Sequence, residues 1–417
     1  MPKTVAEKIL SKHAGKDLKA GDYALCSVDF CFGQDGTSGL IIDALSKLGV
    51  KKLIARNRFC MVIDHSAPSP NIGVSAIHDK MRRFAFENKI CLYDIGCGVC
   101  HQVIPESGSV LPGDLVAGAD SHTCTYGALG ALATGFGSTD LAITLASGKN
   151  WFKVPETIKI IIDGKLPKGV YSKDVILHII GDLGADGCTY NAIEFTGQTI
   201  NDLSVDARFT ISNMAVEAGA KCGIMYPDKK VFDWLKTRGK RTKKGLYPDK
   251  NANYVSIKRY DVGKLVPKIA KPHTVDNVCN VKDIEGKPIH QAYIGTCTNG
   301  RLEDLAIAAK ILKGKTIGRD VRLIIAPASR DIYIKAMRKG FIEAFIRAGA
   351  SIVTPGCGPC VGTHNGIPAD GENVISTANR NFKGRMGNTK AFIYLASPAT
   401  VATSALTGKV TDPRRFV

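Results

Sequence analysis

The sequence has no long run of apolar residues. No stretch approaches the roughly 18 to 20 consecutive apolar residues that a membrane-spanning helix requires. The first residues, MPKTVAEKILSKHAGK, alternate charged with apolar side chains and lack the apolar core of a secretory signal. No repeat of fixed period and no low-complexity linker is present, and aromatic residues make up only 7% of the chain. These absences predict a soluble cytoplasmic protein that is neither fibrous nor disordered.

The cysteines lack the regular spacing of a disulfide framework. Their number, 13, is odd, and they are scattered over the chain. This pattern is typical of a reducing compartment, where thiols pack in cores or bind metal ions. We therefore expect cysteines with structural or metal-binding roles.

Acidic residues are outnumbered, which raises the question of nucleic-acid binding. Lys and Arg number 56 against 38 Asp and Glu, so the formal net charge is +18. The excess is concentrated in residues 228–271, a Lys-rich segment with few aromatic residues to stack on bases. A solvated surface segment is a better interpretation of this stretch than a nucleic-acid site.

What the chain does contain is an alternation of strand-like and helix-like segments. LIARNRFCMVIDHSAP indicates a buried strand that ends at Asp64 and His65, and NIGVSAIHDKMRRFAFENK indicates an amphipathic helix. ETIKIIIDGKLPKGV indicates a two-stranded edge, and apolar strands return in HQAYIGTCTNG, VRLIIAPAS, ASIVTPGCG and AFIYLASP. The length of 417 residues and the 43 glycines fit a loop-rich α/β enzyme of about two to three domains. Its ligand sites are expected at strand ends.

The segment TPGCGPC, which contains Cys357 and Cys360, permits several interpretations. A C-G-P-C tetrapeptide is typical of thioredoxin-like dithiols, but such a fold needs most of its sheet after the motif, and too little chain follows. In HQAYIGTCTNGR, Cys297 also follows an apolar strand, so two strand-end loops could bring three thiolates together. With His364 they would form a Cys3His zinc site, and alone they would hold a four-iron cluster with one open iron. Inert buried cysteines are the remaining alternative.

Three histidines lie near acidic residues in polar, turn-like segments. They are His65 in the pair Asp64-His65, His101 in GVCHQVIPE, and His122 in GADSHT. A carboxylate beside an imidazole raises its basicity and fixes its tautomer, as a proton donor to a departing hydroxyl requires. One such histidine is usually structural, but three at predicted strand ends indicate catalysis.

The segment ANRNFKGRMG carries Arg380 and Arg385 between glycine turns. Guanidinium groups bind carboxylates through two parallel hydrogen bonds, which suits di- and tricarboxylates, although a basic loop on a basic protein fits as well. In FCFGQDGTSG, the polar cluster of Gln34, Asp35 and Thr37 could add hydrogen bonds to the same anion. These residues point to an acidic small-molecule substrate.

Taken together, these motifs resemble the signatures of the aconitase superfamily. GADSHTCTYGALG, YIGTCTNGRLEDL, GCGPCVG and NRNFKGR occur in the order that this family shows. GVCHQVIPESGSVLPGDLVAGADSHTCTYGA and YSKDVILHIIGDLGADG are similar to the branch of large subunits that contains isopropylmalate dehydratases and homoaconitases. The resemblance covers nearly the whole chain. It implies a three-domain α/β/α architecture with domains over residues 1–148, 149–271 and 272–417, the last carrying the cluster cysteines.

The resemblance also implies a set of site residues. A 4Fe-4S cluster, one per subunit and with one open iron, is expected on Cys297, Cys357 and Cys360. Three histidine–carboxylate pairs are expected: Asp64 with His65, His101 with Asp120, and His122 with Glu217. The family positions that contact substrate or cluster correspond to Gln34, Ser121, Asn379, Arg380 and Arg385, with Asn299 nearby.

For activity, the resemblance implies a hydro-lyase that interconverts 2-isopropylmalate and 3-isopropylmalate in leucine biosynthesis. Homoaconitase and 2,3-dimethylmalate dehydratase are alternatives within the family, and an RNA-binding regulator is a distant one. The residue before Asp35 and the additional Cys97 depart from many isopropylmalate enzymes. In the family, a serine on a swivelling fourth domain removes the carbon-bound proton. That domain is not recognisable here, so a small subunit carrying this serine is the expected partner, with no membrane or nucleic-acid partner.

Overall fold

A computed structural model describes residues 1–239 and 242–417. In chain order its strands are Tyr23–Ser27 (β1), Phe30–Gln34 (β2), Phe59–Val62 (β3), Cys91–Tyr93 (β4), Leu115–Gly118 (β5), Leu132–Gly135 (β6), Lys149–Lys153 (β7), Thr157–Asp163 (β8), Ala192–Thr196 (β9), Cys222–Met225 (β10), Ser256–Asp261 (β11), Lys268–Ala270 (β12), Val278–Asn280 (β13), Gln291–Ile294 (β14), Arg322–Ile325 (β15), Ser351–Ile352 (β16), Asn373–Ser376 (β17) and Phe392–Ala396 (β18).

The α-helices are Val5–Ala14 (α1), Asp35–Lys47 (α2), Ile72–Asn88 (α3), Cys100–Glu106 (α4), Ser138–Ser147 (α5), Ser172–Leu183 (α6), Gln198–Asp202 (α7), Val205–Asn213 (α8), Lys229–Lys236 (α9), Thr296–Asn299 (α10), Leu302–Leu312 (α11), Arg330–Arg338 (α12), Phe341–Ala348 (α13) and Pro398–Thr407 (α14). Short 3-10 helices include Ser121–Leu129, Met214–Ala218 and Gly358–Val361. Across the described ranges, no helix is both long and apolar enough to cross a bilayer.

The strands form three main sheets. The order in a five-stranded sheet is β4-β3-β2-β5-β6, and all its pairs are parallel. A four-stranded sheet, β10-β9-β8-β11, is also parallel. A seven-stranded sheet, β13-β12-β18-β17-β14-β15-β16, is parallel except where β12 pairs with β13 and β18. The predicted α/β class is confirmed, because helical crossovers connect parallel strands.

Local sequence explains where individual helices begin and end. The side chain of Thr4 accepts a hydrogen bond from the backbone N–H of Glu7, and Glu7 returns the contact, so a capping box starts α1. Helix α14 begins at Pro398, whose fixed φ suits the first helical position, and ends before Gly408 at φ +73°. Such signals fix the ends of helices, whereas burial of one face fixes their positions.

The seven-stranded sheet shares its cores with both other sheets. Phe32 and Val62 of the five-stranded sheet pack in one core with Ile294. Phe195 of the four-stranded sheet packs in another with Leu395. Each sheet also lies largely within one predicted domain, although β7 pairs with β1 across residue 148 and β12 precedes residue 272. The limits at 148/149 and 271/272 therefore stay a prediction.

The expected two-stranded edge in ETIKIIIDGKLPKGV is wrong. The segment contains one strand, β8, which lies inside its sheet between β9 and β11. Gly164 turns the chain at φ +99°, but Leu166 and Val170 then pack into the core on the way to α6 instead of pairing. An apolar run followed by Asp-Gly predicts a hairpin locally, whereas here both partner strands come from distant parts of the chain.

The Lys-rich segment, residues 228–271, contains α9, β11 and β12, and its residues 240 and 241 lie outside the described residues. Strand β11 is a sheet edge whose side chains are mostly exposed. Arg238 stacks on Trp234 with 3.7 Å between the guanidinium carbon and the ring centre. The charged side chains of β11 thus lie on a surface, as the composition predicts, whereas β12 lies inside the seven-stranded sheet with Ile269 and Ala270 fully buried.

Candidate active site

Polar side chains gather where parallel strands end. In the five-stranded sheet, Gln34 ends β2, Asp64 follows β3, and Asp120 follows β5. In the seven-stranded sheet, Cys297 follows β14 and Cys357 follows β16. Because loops after parallel strands collect at one edge of a sheet, two sheets deliver two sets of functional groups to one region.

His65 is oriented by the carboxylate beside it. Asp64 Oδ1 lies 2.7 Å from His65 Nδ1, and Asp64 Oδ2 accepts the backbone N–H of Cys100 at 2.6 Å. The loop is held by buried Asp35, whose carboxylate accepts three consecutive backbone N–H groups, those of Asp64, His65 and Ser66, at 3.1, 2.8 and 2.8 Å. The Nδ1 atom of His65 is thus engaged, which leaves Nε2 for chemistry.

Asp120 joins three histidines. Its Oδ1 lies 2.9 Å from His101 Nε2, and its Oδ2 lies 3.4 Å from His65 Nε2. The same Oδ1 accepts the backbone N–H of His122 at 2.8 Å, which caps the helix Ser121–Leu129. A displacement of the Asp120 carboxylate would therefore move His65, His101 and His122, all possible proton carriers, together.

Glu217 links the third histidine to an arginine. Glu217 Oε1 lies 2.7 Å from His122 Nε2, and it accepts a hydrogen bond from Arg380 Nε at 2.8 Å. Arg380 is thereby held by one nitrogen, so its terminal nitrogens remain for an anion. The three predicted histidine–carboxylate pairs are all in hydrogen-bond contact.

The pKa values of His65, Asp120 and Glu217 are shifted in the directions that favour a protonated imidazole among ionised carboxylates. Burial acts to lower the pKa of His65, but the charges of Cys357 and Asp64 raise it well above its ordinary value. Burial acts to raise the pKa of Asp120, but His101 holds it well below the usual range. Glu217 behaves in the same way, because its hydrogen bond with His122 lowers its pKa despite burial. These shifts favour a protonated His65 beside charged carboxylates.

Three buried thiols form the other side of the site. Cys297, Cys357 and Cys360 are at most 5% exposed. Two amide groups point at Cys297 Sγ: Asn213 Nδ2 at 3.2 Å and Asn379 Nδ2 at 3.4 Å. Burial raises the pKa of the Cys297 thiol to about 12. Donors aimed at a sulfur favour its anionic form, so this side is built for thiolates stabilised by a cation.

The C-G-P-C turn is fixed by contacts that a larger residue would break. Tyr293 Oη donates to the carbonyl of Cys357 at 2.7 Å. Between the two cysteines, Gly358 has φ +57°, and a Cβ there would lie 2.7 Å from that hydroxyl. Arg385 Nη2 lies 3.2 Å from Cys360 Sγ, and its buried Nε has no hydrogen-bond partner within residues 1–239 and 242–417. Arg385 therefore has a donor free for a bound anion.

The spacing of the thiols argues against a single zinc ion. A tetrahedral zinc, with Zn–S distances of about 2.3 Å, holds sulfurs about 3.8 Å apart. Among the residues described, the group of three potential ligand atoms within 4.8 Å of one another is Asp64, His65 and Cys357, which includes neither His364 nor the other two cysteines. The sulfurs of Cys297, Cys357 and Cys360 therefore do not all lie within 4.8 Å of one another, whereas one zinc would need them that close. The same group also shows that His65 touches both sides of the site.

Some residues named from the sequence have local roles. The Gln34 side chain accepts the backbone N–H of Gly36 and caps α2. Asn299 donates to Asp304 at 2.8 Å, so its amide is used within its own loop. Ser121 is exposed, with Oγ 3.5 Å from His122 Nδ1, beside a cavity of about 400 Å³.

The structure adds one residue that the sequence did not assign to the site and changes the role of another. Asn213 bonds Cys297, and its spacing of four residues from Glu217 was the available signal. Asp35 was expected to bond the substrate, but its carboxylate faces backbone N–H groups and His78 instead. That expectation is corrected: Asp35 orders the loop that carries His65.

This geometry agrees with comparisons to known proteins. The chain matches the Aconitase family (aconitate hydratase) over residues 7–408. The chain belongs to the aconitase family. The resemblance inferred from its motifs is thus confirmed, and the family makes this protein an enzyme of the hydro-lyase class.

Several curated relatives of this aconitase-family chain are similar over their full length. It is 51% identical over 418 residues to the 3-isopropylmalate dehydratase large subunit of Elusimicrobium minutum, covering 100% of both chains. It is 52% identical over 420 residues to the 3-isopropylmalate dehydratase large subunit 1 of Thermotoga maritima, again covering 100% of both. The probable methanogen homoaconitase large subunit of Methanosarcina mazei is 50% identical over 393 residues, covering 94% of this chain and 100% of the relative.

A solved structure shares the fold. The holo-form of aconitase X from Thermococcus kodakaraensis superposes with a TM-score of 0.51 at 12% identity, covering 88% of this chain and 87% of that one. At this identity the likeness concerns the fold alone, and it confirms the aconitase-like architecture that the motifs imply.

Proposed function

We propose that this protein is the large, catalytic subunit of a 3-isopropylmalate dehydratase, which isomerises 2-isopropylmalate and 3-isopropylmalate by dehydration and rehydration. The observation that carries the proposal is the position of His65, which contacts Asp64 and Asp120 and has a ring nitrogen within 4.8 Å of Cys357 Sγ. A proton donor thus lies where a group held by the thiols would meet a substrate hydroxyl. The names of full-length relatives at about 50% identity support the choice of substrate.

Membership in the aconitase family implies a 4Fe-4S cluster. We propose Cys297, Cys357 and Cys360 as its three ligands. The donor set fits: the three thiols are buried, they do not all lie within the 4.8 Å that one zinc would need, and side-chain donors face the sulfurs of Cys297 and Cys360. When bound, an iron with open coordination positions supplies Lewis-acid chemistry at the substrate's hydroxyl and carboxylate.

The two arginines bind the acid substrate, and Glu217 orients one of them. Arg385 Nε is a buried donor without a partner in the described chain, and an anionic carboxylate is the partner that suits it. Arg380 is aligned by Glu217 and presents its terminal nitrogens. Two guanidinium groups can hold a dicarboxylate in one orientation and stabilise charge that develops on it during proton removal.

His65 would donate the proton to the departing hydroxyl. Its Nδ1 is held by Asp64, and the charges around it raise its pKa, which favours the protonated ring. Asp120 accepts from the same ring and from His101, so a proton lost at His65 can be replaced within the group. This relay lies entirely within residues of this chain.

Removal of the carbon-bound proton needs a base on the opposite face of the substrate. We propose that a small subunit carries it, as a serine on a swivel domain, because the similar proteins are named as large subunits. The site would then be complete only in the heterodimer.

Anaerobic co-purification with a small subunit tests this proposal. We expect a brown protein with about four irons per chain that converts 2-isopropylmalate and loses colour and turnover on exposure to air. A colourless protein after reconstitution with iron and sulfide, or a brown protein inactive on every hydroxy acid offered, would contradict it. A colourless chain that retained structured RNA on a filter at low salt would instead support the RNA-binding alternative.

A second candidate function is homoaconitase, because one similar protein carries that name. The discriminating assay compares 2-isopropylmalate, homocitrate and 2,3-dimethylmalate as substrates of the same preparation. Turnover confined to homocitrate would favour this candidate, and turnover of 2-isopropylmalate would favour the first.

A further inference from the structure

Lys173 is a fully buried cation with no carboxylate beside it. It lies in the first turn of α6 and is 0% exposed. Its Nζ donates to the backbone carbonyls of Thr377 and Ala378, at 2.9 and 2.7 Å. Within residues 1–239 and 242–417 it makes no ion pair with a carboxylate. A buried ammonium is costly unless an anion compensates it, so this arrangement calls for one nearby.

The adjacent carboxylate of Asp174 does not fill that place. Asp174 accepts the backbone N–H groups of Tyr171 and Lys268, at 2.9 and 2.8 Å. It therefore caps α6 and ties that helix to β12. Its two oxygens, Oδ2 and Oδ1, thus both face backbone N–H groups and not the ammonium of Lys173. The negative charge that compensates Lys173 must therefore come from another group.

The thiols of the site can supply that negative charge. Ala378, whose carbonyl accepts from Lys173 Nζ, is followed by Asn379, and the amide of Asn379 lies 3.4 Å from Cys297 Sγ. Burial lowers the pKa of Lys173, and the charges that oppose this shift are first those of Cys297 and then Cys360. Thiolates bound to a metal would therefore compensate a buried ammonium at this position.

The hydrogen bonds of Lys173 also support two loops of the site, which carry Cys297 and Asn379. Thr377 Oγ1 accepts the backbone N–H of Gly295 at 3.0 Å and donates to its carbonyl at 3.1 Å. Gly295 lies two residues before Cys297, and Ala378 directly precedes Asn379, whose amide faces that sulfur. One ammonium thus supports the base of two loops of the site.

We propose that Lys173 is a positioning residue and the buried counter-charge of a cluster held by Cys297, Cys357 and Cys360. This inference rests on the proposed function, because it requires that cofactor. A cubane bound by three thiolates carries net negative charge, and nearby charge sets both its retention and its reduction potential. Lys173 would then hold the cluster in place and make it easier to reduce.

The test substitutes Lys173→Met, which keeps the length of the side chain and removes its charge. We expect the affinity for the cluster to fall about 10- to 100-fold, as on loss of other groups that support metal ligands. Iron per chain after timed exposure to a chelator under argon measures this loss. The midpoint potential, followed by electron paramagnetic resonance, should move to more negative values.

Stability distinguishes a counter-charge from a merely structural lysine. We expect Lys173→Met to lower the melting temperature of the cluster-loaded protein, but to leave that of the cluster-free protein unchanged or higher, because an uncompensated buried charge is removed. A lysine that only ties down two carbonyls would lower both. Equal losses in the two forms, with unchanged potential and iron retention, would overturn the inference.

Two further variants complete the experiment. Lys230→Met is the matched control, since Lys230 Nζ also donates to backbone carbonyls, those of Asn201, Asp202 and Leu203, away from the thiols. It should leave iron retention and potential unchanged. Lys173→Arg retains the charge and should keep the potential near that of the wild type. If the midpoint potential of Lys173→Arg shifted as far as that of Lys173→Met, charge would not be the cause and the inference would be overturned. Where Lys173→Met folds poorly, a large shift of Lys173→Arg from the wild-type potential would overturn it as well. Wild-type protein that binds no cluster would instead contradict the proposed function.

Discussion

The two sides of the site balance their charges in different ways. On the proton side, carboxylates meet basic side chains from the same chain: Asp64 contacts His65, Asp120 contacts His101 and His65, and Glu217, in the helix Met214–Ala218, contacts His122 and Arg380. On the thiol side, amide and guanidinium groups face the sulfurs of Cys297 and Cys360, which must lose their protons before they bind a metal.

This difference separates two tasks. On the proton side every carboxylate already has a basic partner, so these groups can hold and move a proton without any added group. The second side gains its full set of interactions only with thiolates, and thiolates in a buried site require a metal. His65 belongs to both, since its ligand atom lies within 4.8 Å of those of Asp64 and Cys357. Mutations on the thiol side should therefore impair cluster binding, whereas mutations on the proton side should impair proton transfer.

The largest effect is expected from Cys297→Ser, which breaks the thiol side. A serine hydroxyl is a poor ligand for iron, and the two amide donors now facing Cys297 would lose their acceptor. We expect complete loss of the cluster and of activity, measured as iron and sulfide per chain after anaerobic reconstitution. Cys26→Ser and Cys188→Ser, in the buried cores, should leave the iron content unchanged. Full iron content in Cys297→Ser would remove Cys297 from the ligand set.

Breaking the proton side should leave the cluster in place. Asp120→Asn keeps the shape of the side chain but removes the charge shared by His65 and His101. We expect kcat to fall by about 100- to 10,000-fold, the usual range for loss of acid–base catalysis, with unchanged iron content. Asp331→Asn on the surface of α12 is the control and should be neutral. If Asp120→Asn lost iron as readily as activity, the two sides would not be separable.

Much of this site follows from local sequence patterns. Apolar strands that end in Asp64-His65 and in GTC-type loops predicted functional groups at strand ends, because strand ends in a parallel sheet share an edge. The family motifs then implied the pairing of His122 with Glu217, which local patterns could not give. The α/β class and the family were likewise predictable, since both depend on periodicity and on motifs within short windows.

What the sequence did not reveal depends on contacts between distant segments. The hydrogen bonds from Lys173 to the carbonyls of Thr377 and Ala378 join residues more than 200 positions apart. A lysine near the start of an amphipathic helix is normally exposed, so no local pattern predicts its burial. The prediction for Asp35 was wrong for the same reason. Its loop suggested a substrate contact, whereas the fold turns its carboxylate toward the backbone of the His65 loop.

A smaller effect is expected from Arg385→Lys, which tests how the two sides share the substrate. Lysine keeps the charge but loses the planar set of donors that contacts Cys360 and leaves Nε free. Hydrogen bonds to charged groups contribute about 1.5 to 3 kcal/mol, so kcat/KM should fall by about 10- to 150-fold. Arg347→Lys, exposed and paired with Glu343, is the control. Unchanged turnover in the variant would place Arg385 outside the substrate site.

The smallest effect is expected from Asp35→Asn, which alters support for His65 without touching the relay itself. Burial acts to raise the pKa of Asp35, but the hydrogen bond from His78, the charge of His65 and backbone N–H groups hold it below its ordinary value. Since the folded-state pKa lies below the unfolded value of about 3.9, the charged form stabilises the fold above that pH. We expect Asp35→Asn to lower the free energy of unfolding by about 1 to 3 kcal/mol at pH 7.

That difference should shrink as the pH falls below about 4, because the wild-type carboxylate then becomes protonated as well. Melting curves at pH 7 and at progressively lower pH measure it, with exposed Asp43→Asn as the control that should change little at any pH. A loss of stability in Asp35→Asn that did not depend on pH would mean that shape, and not charge, makes Asp35 fit the His65 loop. The proton side would then depend on packing as much as on its ion pairs, and its contrast with the thiol side would be weaker than the geometry indicates.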